Sequence, residues 1–251
     1  MGKEIILKDK TRIYYKEYGR GEDLFLLHGN DGDMTYFEYQ IGYLSRYFHL
    51  ILIDFRDHGF STNEKNKLNF ELLANDLKEV YDQLGIKQAS LLGFSDGANL
   101  CLVFHKLYPT YVNKMILNAP NARFKAITFA GKILMVLENI FWTILTFFKR
   151  NKRVARLLLS DLEIELDDLR NIDNDTLILA GSNDLIRISH IKKIAKNIDG
   201  SKLVIVKNQG HRLARTAPEI FNKLVYDFLE GWLWKNLKNI NKVCLIFYFW
   251  Y

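Results

Sequence analysis

Short apolar runs alternate with amphipathic segments along most of this 251-residue chain. The apolar runs are residues 5–7, 13–15, 24–27, 50–53, 89–93, 114–117, 176–180 and 202–206. The first two flank a charged turn at residues 8–10 and predict a hairpin. Between the others, the spacing of apolar residues predicts helices over 70–84, 97–107 and 218–228. This alternation predicts an α/β fold with a mostly parallel sheet covered by helices on both faces.

The regular alternation stops between residues 121 and 171, which carry a helical pattern of apolar residues. We therefore expect a core of residues 1–120 and 172–231, with residues 121–171 inserted as a helical cap. Its most apolar part, 127–148, is expected to cover the active site with its apolar face. The tail, 232–251, ends in nine apolar residues, too few for a membrane-spanning helix, and the sequence gives it no role.

Charge and cysteine content exclude several classes of protein. A net charge of +6 is mild and does not indicate nucleic-acid binding. Two cysteines cannot form a disulfide framework or a four-ligand zinc site, and they favour a reducing compartment. The first residues contain no apolar stretch long enough for a secretory signal. We expect a cytoplasmic protein that holds no metal.

A strand, the residues Gly-Phe-Ser-Asp-Gly at 93–97 and a helix follow one another directly. This is the G-x-S-x-G pattern in the strand–turn–helix setting that a nucleophilic serine requires. The glycines leave room for a tight turn that lifts the Ser95 hydroxyl above the sheet, at a helix N-terminus that favours negative charge. Ser95 is therefore the predicted nucleophile.

A serine nucleophile needs a base, and the base needs an acid to orient it. His211 is the predicted base, because among six histidines it follows a late strand within Asn-Gln-Gly-His. Asp184 is the predicted acid, because it follows the preceding strand within Gly-Ser-Asn-Asp. Ser, Asp and His then occur in the order of the α/β-hydrolase layout.

Two backbone N–H groups are expected to bind the oxyanion that forms during acyl transfer. One belongs to Asp96, directly after the nucleophile. The other is expected from Asn30, in the small-residue loop that follows the strand at 24–27. Phe94, directly before Ser95, is expected to contact the substrate.

At several motifs the chain resembles the α/β-hydrolase superfamily. The matching stretches are residues 28–30, 54–61, 93–97, 181–184 and 210–211. The resemblance implies eight strands, a Ser-Asp-His triad without cofactor and a cap inserted after the sixth strand. The chain departs from the family at Asp57, where glycine is usual in a tight turn. Because aspartate tolerates left-handed backbone better than most residues, we expect that turn to form.

Residues 93–97 and 118–122 resemble the biphenyl-hydrolase-like, or valacyclovirase-like, branch more closely. In that branch the residue after the nucleophile attracts the ammonium group of amino-acid esters. The resemblance implies that Asp96 also contacts the substrate. A second interpretation remains open, in which Asp96 only favours the N-terminus of its helix. A cation from Arg123 or Lys125 is a further candidate partner of its carboxylate.

The sequence therefore predicts a serine hydrolase that cleaves a carboxylic ester of a small or medium-sized substrate. A carbon–carbon, thioester or amide hydrolase, a lipid esterase on a membrane and a non-catalytic receptor for small molecules stay open. The basic residues that follow the apolar part of the cap, and the apolar tail, leave room for peripheral membrane contact. The oligomeric state is not predicted.

Overall fold

The computed structural model of the protein describes residues 2–65, 67–121, 127–145, 149–158, 162, 164–231 and 245–248. Its strands are β1 (Lys3–Ile6), β2 (Arg12–Tyr18), β3 (Glu22–Leu27), β4 (Phe48–Ile53), β5 (Ala89–Phe94), β6 (Val112–Asn118), β7 (Thr176–Gly181), β8 (Lys202–Val206) and β9 (Leu245–Tyr248). Its α-helices are α1 (Glu38–Leu44), α2 (Phe70–Leu84), α3 (Asp96–Leu107), α4 (Phe129–Ile144), α5 (Lys149–Leu158), α6 (Ile188–Asn197), α7 (Leu213–Thr216) and α8 (Pro218–Leu229).

The strands form one sheet in the order β1-β2-β4-β3-β5-β6-β7-β8-β9. The first two strands make the predicted hairpin, and β2 also pairs antiparallel with β4. Every other neighbouring pair is parallel. The predicted α/β class and its eight strands are confirmed, and the structure adds a ninth strand.

The ninth strand comes from the apolar tail that the sequence left without a role. Residues 245–248 pair parallel with β8, from Leu203 opposite Leu245 to Val206 opposite Tyr248. Without β9, the outer side of β8 would present unpaired N–H and C=O groups at the edge of the sheet. The apolar end of the tail therefore extends the sheet by one strand.

Successive side chains of the buried strands point to opposite faces of the sheet. On β3, Phe25 and Leu27 belong to an apolar core shared with α2, α3 and α6. Leu24 and Leu26 belong to a second core, shared with α1 and α8. Helices thus cover both faces of the sheet, as predicted. A functional site that uses the sheet is therefore expected at an edge where the strands end.

Helices α4 and α5 follow β6 in the chain and precede β7, where the sequence predicts the cap. Seven large apolar side chains of α4, which we call the α4 stripe, recur at helical spacing and are 40–76% exposed. They are Phe129, Ile133, Val136, Leu137, Ile140, Phe141 and Ile144. These side chains are exposed and do not pack into either apolar core, and the expectation that the apolar face of the cap covers the active site stays a prediction. Among the described residues, no helix is long and apolar enough to span a membrane.

Candidate active site

Ser95 lies between the end of β5 and the start of α3, in a turn with left-handed backbone at φ +52° and ψ −113°. A non-glycine residue with such backbone is under strain, which persists only where the surroundings enforce it. Here the Ser95 N–H donates to the carbonyl of Asn118 at 2.9 Å, which ties the turn to the end of β6. The serine is held at the carboxyl edge of the parallel strands.

The glycines on either side of Ser95 are required by the closeness of backbone atoms. A Cβ atom on Gly93 would lie 2.3 Å from the carbonyl oxygen of Gly97. One on Gly97 would lie 1.9 Å from the carbonyl oxygen of Leu27, on β3. Both distances are far below van der Waals contact, and backbone cannot move aside as a side chain can. The G-x-S-x-G pattern is thus explained by packing of α3 against β3 and β5.

The structure brings Ser95, His211 and Asp184 together at this edge of the sheet. Ser95 Oγ lies 3.2 Å from His211 Nε2, and His211 Nδ1 lies 2.8 Å from Asp184 Oδ1. The Asp184 carboxylate is buried and also accepts the N–H of Ile186 at 2.9 Å. Asp184 follows β7 and His211 follows β8, so strand ends supply all three groups. Such a chain of hydrogen bonds moves a proton from the serine to the imidazole while the carboxylate orients the ring.

Two further histidines near the site have structural contacts. His28 Nε2 accepts the N–H of Phe55 at 3.1 Å, so its Nδ1 carries the proton that it donates to the Gly29 carbonyl at 2.7 Å. Complete burial lowers the pKa of His28 to about 3, which keeps the ring neutral. His58 Nδ1 lies 2.9 Å from the carbonyl of Arg56, and burial lowers its pKa as well. Both rings shape loops around the site.

The two predicted oxyanion donors stand on neighbouring segments. Asp96 is the first residue of α3, where helical N–H groups have no partner within the helix. Asn30 lies in the loop after β3, and its side-chain Nδ2 donates to the Asp96 carboxylate at 2.9 Å. This hydrogen bond fixes the distance between the Asn30 loop and the turn that carries Ser95.

The Asp96 carboxylate is buried and lies within a network of amides. Asn99, one helical turn later, donates from Nδ2 to Asp96 at 3.1 Å and to the side chain of Asn121 at 2.9 Å. Desolvation by burial raises the pKa of Asp96 to about 6, although both amides and His211 favour the charged form. Arg123 and Lys125, its candidate cations, lie outside the described residues. Sequence reasoning missed Asn99, although its i+3 spacing from Asp96 places both on one helix face.

Helix α5 is attached to the site by polar contacts that the sequence did not reveal. Arg153 donates two hydrogen bonds of 2.6 Å to the carboxylate of Asp57. Arg150 donates to the carbonyls of Asp57 and Gly59. The turn expected at Asp57 forms with left-handed backbone at φ +64°, so the residue that replaces glycine there also binds α5.

Contact between α5 and the Asn30 loop completes this arrangement. Asn30 Nδ2 donates to the main-chain carbonyl of Val154 at 3.1 Å as well as to Asp96. One amide thus links α5, the loop after β3 and the turn of the nucleophile. A displacement of α5 would change the position of the Asn30 loop beside the reacting groups.

Phe94 lies beside His211. Its ring stacks on Tyr36 with centroids 4.1 Å apart and planes 4° from parallel, and its centroid lies 5.0 Å from that of His211. Burial raises the pKa of the Tyr36 phenol, so this wall of the site stays uncharged. Among the described residues, no group of three or more metal-binding side chains occurs.

Comparison with known proteins decides the family. Residues 24–155 match the family model described as the α/β-hydrolase fold. The chain belongs to this family. The matched part of this α/β hydrolase includes Ser95, ends within helix α5 and does not reach Asp184 or His211.

The relatives of this α/β hydrolase include a serine hydrolase and an epoxide hydrolase. It is 28% identical over 249 residues to the serine hydrolase BPHL of Mus musculus, covering 88% of this chain and 84% of the relative. It is 25% identical over 284 residues to human epoxide hydrolase 4, covering 89% and 77%. The resemblance to the biphenyl-hydrolase-like branch is thereby supported, and the protein is an enzyme of the hydrolase class.

Solved structures agree on the fold. An esterase from Exiguobacterium antarcticum has a TM-score of 0.79 at 23% identity, covering 92% of this chain and all of its own. A meta-cleavage product hydrolase from Pseudomonas fluorescens has a TM-score of 0.77 at 18% identity, covering 91% and 97%. At such identities the likeness shows the α/β-hydrolase fold alone.

Proposed function

We propose that this α/β hydrolase is a serine hydrolase that cleaves a carboxylic ester of a small or medium-sized substrate. The observation that carries the proposal is the pair of hydrogen bonds that joins Ser95 to His211 and His211 to Asp184. The nucleophile turn carries serine, which favours acyl transfer over the dehalogenase and epoxide-hydrolase chemistries that start from an aspartate at this position. Carbon–carbon, thioester and amide cleavage use the same residues and remain alternatives.

The proposed reaction passes through an acyl-enzyme. Ser95 Oγ attacks the ester carbonyl while His211 Nε2 takes its proton, and the Asp184 carboxylate stabilises the resulting imidazolium. The N–H groups of Asn30 and Asp96 bind the oxyanion. His211 then gives its proton to the departing alcohol. Water, activated by His211, attacks the acyl group on Ser95 and releases the acid, so no metal or cofactor takes part.

Asp96 is the proposed substrate contact that gives selectivity. Its described hydrogen-bond partners, Asn30 and Asn99, are neutral amides, so they do not cancel the charge of an ionised carboxylate. A substrate with an α-amino group would supply that missing positive charge. Phe94 and the Tyr36 ring stacked on it offer an apolar wall beside His211.

The first test replaces the nucleophile. Ser95→Ala should abolish hydrolysis of p-nitrophenyl acetate and labelling by a fluorophosphonate, because removing a triad nucleophile costs on the order of a millionfold in rate. Ser90→Ala, at a buried serine on the same strand, is the matched control and should keep both signals. Hydrolysis at full rate in Ser95→Ala would assign another nucleophile. No turnover by the wild type on any ester would favour a non-catalytic receptor.

A panel of esters tests the selectivity. Acyl chains of increasing length are compared with and without an α-amino group, in the wild type and in Asp96→Asn. The wild type should prefer amino esters by a factor of about 5 to 150 in kcat/KM, and the variant should lose most of that preference. Equal kcat/KM for both ester types in the wild type would reject Asp96 as an ammonium contact.

A membrane-associated lipid esterase is the second candidate function, favoured by the exposed α4 stripe. The low cysteine content supports a reducing, cytoplasmic location for either candidate. Activity on long-chain esters presented in vesicles, against activity on short soluble esters, separates the two.

A further inference from the structure

The α4 stripe is the largest described set of apolar side chains that the fold leaves in water. Its seven members recur at positions i, i+4, i+7, i+8, i+11, i+12 and i+15 of one helix, and so form one continuous face. Soluble proteins rarely expose a contiguous apolar face of this kind unless it binds something. With 16 residues, α4 is about 24 Å long. It can lie along a bilayer but falls short of the roughly 30 Å hydrocarbon core.

Positive charge is concentrated in the same part of the chain. Residues 127–158, the α4–α5 segment, contain six lysines and arginines and one glutamate, a net charge of +5 of which Arg153 is paired with Asp57 outside the segment. Within α5 the basic residues follow directly on the apolar helix, and the helix contains no acid. A helix that pairs an apolar face with neighbouring lysines and arginines is typical of attachment to anionic lipid.

One acidic residue that follows α5 in sequence, Asp168, lies on the other side of the molecule. Asp168 binds Lys106 at 3.0 Å, near the C-terminal end of α3. Because α3 starts at the Ser95 turn and has 12 residues, that end lies about 18 Å from the active-site edge. Helix α5 instead contacts Asn30 and Asp57 at the active-site edge. Asp168 therefore lies far from α5, and the acidic residue that α5 contacts directly is Asp57.

We propose that the α4–α5 segment docks on the surface of an anionic lipid bilayer. The α4 stripe enters the boundary between headgroups and acyl chains, and basic side chains of the segment other than Arg150 and Arg153, such as Lys152 and Arg156, face the lipid phosphates and carboxylates. A second copy of the chain fits this face poorly, since a symmetric dimer would bring two segments of net charge +5 together. Because α5 binds Asn30, docking turns the active-site edge toward the membrane.

The proposal concerns binding and is independent of ester cleavage, so it is tested with the full chain carrying Ser95→Ala. The protein is mixed with vesicles of phosphatidylcholine alone or with about 30% phosphatidylserine, and bound protein is separated by flotation. Binding to the anionic vesicles should be at least about tenfold tighter and should weaken as salt is raised. Absence of flotation, or equal binding to both vesicle types, would overturn the proposal.

Surface variants identify the face that binds. Leu137→Asp combined with Ile140→Asp should weaken binding about 100-fold, whereas Ile6→Asp, at an equally exposed apolar residue on β1, should change binding less than about twofold.

The basic residues are tested separately. Lys152→Glu with Arg156→Glu should weaken binding to anionic vesicles about tenfold. Its matched control is the i,i+4 pair Lys192→Glu with Lys196→Glu on α6. Equal losses in test and control variants would contradict the proposal.

Two measurements without vesicles complete the test. Thermal unfolding of each variant should match the parent, because the altered side chains are exposed or half-buried. Light scattering should give the same mass for the parent and for Leu137→Asp with Ile140→Asp. A dimer that this double variant dissociates would show that a second copy covers the α4 stripe, and would overturn docking on lipid.

Discussion

The Ser95 turn and the α4–α5 segment meet at the same edge of the sheet, but they are held by different kinds of contact. At the turn, main chain packs on main chain, so that a Cβ on Gly97 would lie 1.9 Å from the Leu27 carbonyl oxygen. On α4, a Cβ on Gly131 would lie 2.7 Å from the Cγ2 methyl group of Ile127, a side-chain atom. The turn cannot accept an added atom without moving a strand, whereas the segment can respond by moving side chains.

The two kinds of contact suit different tasks, fixed geometry at the Ser95 turn and adaptable contacts in the α4–α5 segment. The proposed triad needs distances that vary little, and packed backbone maintains them. The α4–α5 segment is attached through side chains such as Arg153 on Asp57 and Asn30 on the Val154 carbonyl. Side-chain contacts are easily exchanged for others, so this is the part of the molecule where substrate or membrane preference can change while Ser95 and His211 keep their geometry.

One glycine substitution in each region gives the largest contrast. Gly97→Ala should lower the free energy of unfolding by about 4 kcal/mol and abolish ester hydrolysis, because overpacking against backbone leaves no relaxed position for the new methyl group. Gly131→Ala should change the free energy of unfolding by less than about 1 kcal/mol, since the better helix propensity of alanine offsets the contact with Ile127. Urea unfolding and p-nitrophenyl ester turnover measure both. Equal destabilisation of the two variants would remove the distinction between the regions.

The second prediction uses pH to compare the buried Asp96 carboxylate with its neutral analogue. Burial raises its folded-state pKa to about 6, against about 4 in an unfolded chain. Aspartate therefore stabilises the fold most below pH 4, where it is protonated in both states, and that contribution is lost as pH rises through 6. Relative to that of Asp96→Asn, the free energy of unfolding of the wild type should fall by up to about 3 kcal/mol between pH 4 and pH 7.

Urea unfolding of both proteins at several pH values checks this, because nearly all other titrating groups are shared and cancel in the difference. Asn99→Ala removes one amide that stabilises the charged carboxylate of Asp96. The free energy of unfolding of this variant should therefore fall more steeply with pH than that of the wild type. Parallel stability curves for the wild type and Asp96→Asn would mean that the carboxylate is better solvated or paired than its burial indicates.

The fold was predictable because strand and helix patterns are local. Apolar runs and helical spacing in the sequence located the eight core strands and the main helices, and the turn at 93–97 has a steric reason that glycine alone satisfies. Strand ends also placed Ser95, Asp184 and His211 on one edge. These features depend on residues close in sequence and on a topology that brings strand ends together.

Contacts between distant segments were not predictable in the same way. No sequence pattern predicts that Arg153 contacts Asp57, 96 residues earlier, or that Asn30 bridges Asp96 and Val154. An exposed α4 stripe was equally hidden, because apolar spacing shows which face of a helix is apolar and does not show what covers it. The pairing of β9 with β8 depends on an edge that only the assembled sheet defines.

The smallest expected effect concerns the attachment of α5. Arg153→Leu removes both hydrogen bonds to Asp57, whose buried carboxylate then keeps, among the described residues, the amide of Asn63 at 2.6 Å. Because the arginine is partly exposed, the loss should be about 1–2 kcal/mol in the free energy of unfolding. Arg170→Leu, which breaks an exposed i,i+3 pair with Asp167, should cost less than about 0.5 kcal/mol.

A second substitution distinguishes loss of the ion pair from loss of packing. Adding Asp57→Asn to Arg153→Leu removes the uncompensated buried charge, and asparagine tolerates the left-handed backbone at φ +64°. The double variant should therefore recover most of the stability. It should not recover ester kcat/KM, which is expected to fall about fivefold in both variants, because α5 no longer holds Val154 against Asn30 and the oxyanion loop loses its support. Full activity in Arg153→Leu would show that the site keeps its geometry without this attachment, and that the α4–α5 segment and the Ser95 turn are mechanically independent.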